Sequence, residues 1–155
     1  MMKGSMNRQW TELVSGLFLY QDSCQVYVLK RGDEGIAIDF GSGSWLDRLD
    51  QIGVRSISDV YLTHAHRDTC YGLAEQRDWA FNVHAPAGDI GYFESDRLST
   101  FWKTYQDRGC PSNYSAPREA MPFVKGDVGQ AREPVWQGLK LGVVPTPGHT
   151  RGALT

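Results

Sequence analysis

Four histidines occur in this chain of 155 residues, and two of them stand on alternate positions within "YLTHAHRDTCYG", residues 61–72. In an extended segment the side chains at i, i+2 and i+4 point to one side, so His64, His66 and Asp68 are expected to converge. On a helix the first two would diverge. Two imidazoles and a carboxylate aimed together are ligands that zinc, iron or manganese accept. The best candidate for a third strong ligand is His149, which also follows an apolar stretch and is preceded by the tight-turn residues "TPG". Three histidines and a water make an open catalytic zinc site, with zinc–nitrogen distances of about 2.0–2.1 Å.

Such a constellation needs strand ends to carry it. Apolar, β-rich stretches come first, "LVSGLFLY" (13–20), "CQVYVLK" (24–30) and "GIAIDF" (35–40), separated by turn residues and read as an antiparallel meander. In "SWLDRLDQIG" (44–53), Trp45, Leu46, Leu49 and Ile52 fall at helical spacing, with Ser44 as N-cap and Gly53 as the stop. "SDVYLT" (58–63) is the strand that delivers the histidines. "CYGLAEQRD" reads as a short helix, "AFNVHAP" as a strand, and Leu98, Phe101, Trp102 and Tyr105 as the apolar face of a helix closed by Gly109 and Pro111. Residues 110–122 are rich in proline and serine and read as a loop, after which strands are expected at 123–129 and 139–146.

The bulk properties fit one domain over residues 1–155, with 41% hydrophobic residues to form a core. A net charge of −2 provides no basic field for nucleic acid or an anionic membrane. No segment is long and apolar enough to span a bilayer, and "LVSGLFLY" lacks a leader's cleavage site. Cys24, Cys70 and Cys110 are odd in number and widely spaced, which points to a reducing, cytoplasmic setting without a disulfide framework.

With these residues in place, "THAHRD" followed by Gly72 resembles the T-H-x-H-x-D-H-x-x-G signature of the metallo-β-lactamase fold superfamily. "PTPGHT" resembles that family's next metal motif, and "CQVYVL" with "IAIDFGSG" is similar to its opening strands, which end in an aspartate near the site, here Asp39. The resemblance implies an α+β fold, a four-layer αββα sandwich of which this chain is the N-terminal half to two-thirds. It also implies that His64, His66 and His149 bind a first metal, while Asp68 faces a second metal or the metal-bound water and acts as the catalytic proton acceptor. Metal-bound hydroxide would then attack an ester, thioester or related bond of a small-molecule substrate. Within the family, "PTPGHT" looks more like the glyoxalase II branch than like the antibiotic-degrading one. One or two zinc ions are expected, with iron or manganese as alternatives.

Two departures shape the expectation. Where the signature has a histidine after the aspartate, this chain has Thr69, so the second metal should be weakened or absent. The chain also ends at Thr155, before the family's later ligands, so it is expected to be a fragment or to complete itself by pairing. Alternatives from these departures are a mononuclear iron dioxygenase of the persulfide type and a non-catalytic protein that keeps the fold. Among the remaining residues, His84 reads as structural or solvated, and Cys70 as a buried thiol rather than a soft ligand. Asp39 is balanced between a turn carboxylate and an acceptor that orients a ligand histidine. Phe101, Trp102 and Tyr105 read first as core and second as a pocket wall, and Arg67 as a surface or supporting charge.

Overall fold

The computed structural model describes residues 10–75, 78–94, 97–104, 121–129 and 133–155. Seven strands form one mixed sheet in chain order: β1 (Trp10–Val14), β2 (Leu17–Gln21), β3 (Gln25–Arg31), β4 (Glu34–Ile38), β5 (Ser56–Tyr61), β6 (Asn82–Pro86) and β7 (Val124–Val128). β1 to β4 are antiparallel neighbours, as the meander predicts, whereas β4 to β7 pair in parallel. Parallel pairing demands crossovers, and these carry the helices α1 (Arg67–Cys70), α2 (Ile90–Phe93) and α3 (Arg97–Thr104). A separate two-stranded sheet, β8 (Val135–Trp136) and β9 (Leu139–Lys140), follows.

Strand alternation sorts the apolar residues onto two faces. Val28 pairs with Ala37 and belongs to the main core together with Val26, Val60, Val83, Leu73 and Trp102. Leu29 pairs with Ile36 and Tyr27 with Ile38, so these four lie on the opposite face. Ile36 is fully buried there although it is outside the main core, and Ile38 and Tyr61 line a small cavity of about 80 Å³ with Leu141 and Leu154. Helices thus cover one face while β9's continuation and the last residues lie over part of the other, an arrangement that matches part of an αββα sandwich.

Four expected elements are corrected. The strand expected at 13–20 is a hairpin, because Gly16 takes φ +80 and turns the chain between β1 and β2. The helix expected at 44–53 is a 3-10 helix over Leu46–Ile52, and Ser44 bonds Asp22 Oδ2 at 3.3 Å instead of capping it, while Gly53 ends it in the left-handed conformation as expected. The helix expected over 70–78 is a 3-10 helix over Tyr71–Ala74, and α1 at Arg67–Cys70 precedes it. The strand expected at 139–146 stops at Lys140; further on, Val144 exchanges backbone hydrogen bonds with Thr155 and Thr146 N–H donates to Ala153, so these residues pair with the 153–155 segment instead. Tyr105, Cys110 and most of the loop expected at 110–122 lie outside the described residues.

Candidate metal centre

β5 ends at Tyr61, and the next turn is fixed by side chains before any histidine is reached. Asp39 sits just past β4 with φ +61, a conformation that aspartate tolerates better than most residues. Its carboxylate is 7% exposed and accepts Thr63 N–H at 2.8 Å and the Thr63 hydroxyl at 2.8 Å. Burial pushes the Asp39 carboxyl up to about 7, against the lowering effect of these Thr63 bonds. The Thr63 Oγ1 also lies 2.9 Å from His64 Nδ1. With the hydroxyl donating to Asp39, its oxygen accepts Nδ1–H, which leaves the lone pair on His64 Nε2. Asp39 therefore reaches His64 only through Thr63, as an orienting acceptor rather than as a carboxylate of the turn before Gly41, and the motif alone does not reveal this part of Thr63.

Backbone stays extended through His66 (φ −66, ψ 153) and turns helical at Arg67. His64 and His66 consequently share a side, and their ring centroids lie 4.9 Å apart. His149 joins them: its Nε2 is 2.8 Å from His66 Nδ1, and its ring is 4.7 Å from that of His64. One nitrogen from each of the three rings lies within 4.8 Å of the others. Asp68 is not in this set, because helix α1 has already begun and carries it off the extended parity. It stands half-buried in the first turn of α1, where its backbone carbonyl accepts the Ser23 hydroxyl at 2.6 Å.

The residues fit a divalent ion. His64 Nε2 is buried and has no hydrogen-bond partner among the described residues, a costly state for an imidazole nitrogen unless a ligand occupies it. Burial, followed by the neighbouring His66 and His149, pushes the His64 imidazole down to about 3, so the ring is neutral and able to coordinate at physiological pH. Nitrogens on one tetrahedral zinc lie about 3.3 Å apart. The observed spread, from 2.8 Å to at most 4.8 Å, brackets that value, and ring movements of about an ångström would close it.

Thr69 occupies the position where the motif has its next histidine. It is 2% exposed, and its hydroxyl is shared between the carbonyls of His66 (2.8 Å) and His64 (3.1 Å). The hydroxyl thus braces the loop that carries His64 and His66. Cys70 is fully buried, with its Sγ 3.3 Å from the His66 carbonyl, as expected of a structural thiol. Gly72, the last residue of the motif, allows the loop at 41–42 to come close: a Cβ there would sit 2.2 Å from the Ser42 carbonyl oxygen.

Aromatic side chains close one side of the centre. Phe101 stacks on His66 at 5.2 Å and Tyr92 stacks on Phe101 at 4.1 Å. Trp102 is buried and donates its indole N–H to the Ala65 carbonyl at 2.7 Å, so this helix face is core and wall at once. An open cavity of about 390 Å³ adjoins His149, lined by Tyr92, Phe101, Pro147, Thr150 and Arg151. Arg67 is half-buried at the start of α1. His84 lies outside the cluster and is structural: its ring is held between Asp59 (2.8 Å) and Asp127 (2.9 Å) and stacks on Tyr61. Asp89 was also missed by sequence reasoning. It is 0% exposed and bonded to both histidine segments, and no periodicity or motif marks it in "PAGDI".

A family model described as the Metallo-beta-lactamase superfamily matches residues 19–155. No curated protein matches the chain. Among solved structures, a metallo-beta-lactamase of Cronobacter sakazakii with a HARLDQ motif is similar at 21% identity and a TM-score of 0.65, over 94% of this chain and 58% of that one. A subclass B3 metallo-beta-lactamase of Bradyrhizobium japonicum is similar at 24% identity and a TM-score of 0.66, over 94% of this chain and 54% of that one. A beta-lactamase from Chitinophaga pinensis gives a TM-score of 0.70 at 17% identity, over 99% of this chain and 60% of that one. The chain therefore spans between half and two-thirds of the length of these structures.

Proposed function

The chain belongs to the Metallo-beta-lactamase superfamily, and from that premise we propose that it works as a metal-dependent hydrolase of an ester, thioester or related acyl bond. The observation that carries this is the triad itself. Three imidazoles from two segments, one of them with a buried Nε2 lacking any hydrogen-bond partner among the described residues, meet beside an open cavity. His64, His66 and His149 would hold the ion. Zinc suits an all-imidazole set best, and iron or manganese are accepted by the same ligands. When bound, the ion supplies Lewis acidity toward the acyl oxygen and a water that ionises near neutral pH.

The chain's own groups would do the rest. Asp68, two residues beyond His66, is the candidate to orient the attacking water and take up its proton. The Tyr92–Phe101 stack offers an apolar wall against which a substrate's acyl or leaving portion can lie, and it excludes water from one side of His66. The hydroxyl of Thr69 is engaged with backbone carbonyls, which favours a single metal over a pair. A thioester of the glyoxalase II type is the first substrate class to assay, on the likeness of "PTPGHT" to that branch. A β-lactam amide is the second reading, favoured by the subclass B3 enzyme among the structures that share the fold.

Metal content of the purified protein, measured with hydrolysis of a generic thioester, a chromogenic ester and a chromogenic cephalosporin, tests the proposal. One equivalent of metal with turnover that disappears in His66→Ala is expected. Absence of metal affinity and of turnover in the parent protein would refute it.

A further inference from the structure

Asp89 belongs to neither histidine motif, yet its carboxylate ties the two together. Oδ2 accepts the N–H of Ala65, between His64 and His66, at 3.0 Å, and the hydroxyl of Thr150, next to His149, at 2.8 Å. Oδ1 accepts Gly152 N–H at 2.9 Å. Asp89 also stands at the start of α2, where an aspartate ordinarily caps the helix, but it makes no side-chain cap bond there. Its oxygens are committed to the two loops instead. The backbone is shaped for the same contact: a Cβ on Gly152 would come within 2.7 Å of Asp89 Oδ1, and one on Gly88 within 2.8 Å of Gly152 Cα.

We infer that Asp89 is a positioning residue that holds His149 against the His64–His66 pair and so sets the affinity of the centre for its metal. The reason is the asymmetry of buried charge. A carboxylate with no solvent access needs every one of its donors, so any excursion of the loop at 149–152 leaves it uncompensated. The loop is thereby held before an ion arrives, and the ordering that coordination would otherwise demand is already complete. Supporting partners of this kind typically change metal affinity by about 10–100-fold when removed. Asp89 differs in acting on the separation between ligand segments, through backbone and hydroxyl, rather than on a ligand ring.

This inference rests on the three-histidine reading of the site, and the test separates the two. Zinc affinity is measured by chelator competition, and the visible absorption of the cobalt(II)-loaded protein reports its coordination number. Asp89→Asn keeps the shape but turns an amide toward donors, and is expected to weaken zinc binding at least tenfold and to lower the intensity of the cobalt bands as His149 loosens. Thr150→Val, which removes a single bond and keeps the fold if Asp89→Asn does not, is expected to weaken binding severalfold. Ile57→Val, in the main core, is expected to lower the melting temperature while leaving zinc affinity within twofold. Binding lost in His149→Ala but unchanged in both Asp89→Asn and Thr150→Val overturns the role of Asp89 and leaves the metal centre standing. Unchanged binding in His149→Ala overturns the centre, and this inference with it.

Discussion

Thr69 illustrates how a single side chain can depart from a motif and still serve it. Its hydroxyl supports the His64 and His66 carbonyls from a site that is 2% exposed. Thr69→Val keeps the volume but removes that donor, and should cost about 1–2 kcal/mol in urea unfolding. Asp39 gives a pH signature. Its folded-state value of about 7 lies above the ordinary 3.8, so between these limits the folded protein retains a proton that the unfolded chain has lost. Stability from this group is therefore fully present below the lower limit and falls as pH rises toward the upper one. Asp39→Asn suits the same left-handed backbone and still accepts Thr63 N–H, so its unfolding free energy should vary less with pH across that window than the parent's does.

The elements contribute through where they stop. β5 delivers an extended segment only as far as His66, and the early start of α1 leaves three imidazoles converging without Asp68 among them. The turn after α1 depends on Gly72, whose missing Cβ lets the loop at 41–42 approach, with Gly72 N–H donating to Gly41 O at 2.9 Å. Gly72→Ala puts a methyl into backbone that cannot yield, and should destabilise the protein by about 2 kcal/mol or more, as forced backbone shifts in packed sites do. The parallel strands have their own brace in His84, shared between Asp59 on β5 and Asp127 on β7. His84→Ala leaves two neighbouring carboxylates without their common partner and should cost about 1–3 kcal/mol. Zinc affinity should be unchanged, which distinguishes this histidine from the other three.

Across the chain, the candidate metal centre joins His66, just past β5, to His149, 83 residues further along. An ion that binds only the folded arrangement stabilises it in proportion to saturation, by about 2.7 kcal/mol at a free concentration one hundred times the dissociation constant. Thermal unfolding with added zinc should therefore show a higher midpoint than with a chelator, and the difference should vanish in His149→Ala. A midpoint indifferent to zinc would count against the centre. Beyond the sheet, Val135 on β8 and Val144 after β9 remain 61% and 59% exposed.

The type and order of the residues in "THAHRDTCYG" and "PTPGHT" were enough to point to the family and to three histidines that the fold brings within 4.8 Å of one another, because both motifs set particular side chains at particular spacings. Periodicity likewise revealed the meander, the strand before the histidines and the buried face of α3, since one buried face imposes a period on its own segment. It could not reveal that residues 13–20 fold into a hairpin or that α1 begins at Arg67, which depend on one glycine's φ and on where an extended segment yields to a turn. Nor could it assign Thr63 its role or find Asp89. Their roles arise from hydrogen bonds to backbone groups of distant segments, and a backbone N–H looks the same at every residue until the fold decides which carboxylate it meets.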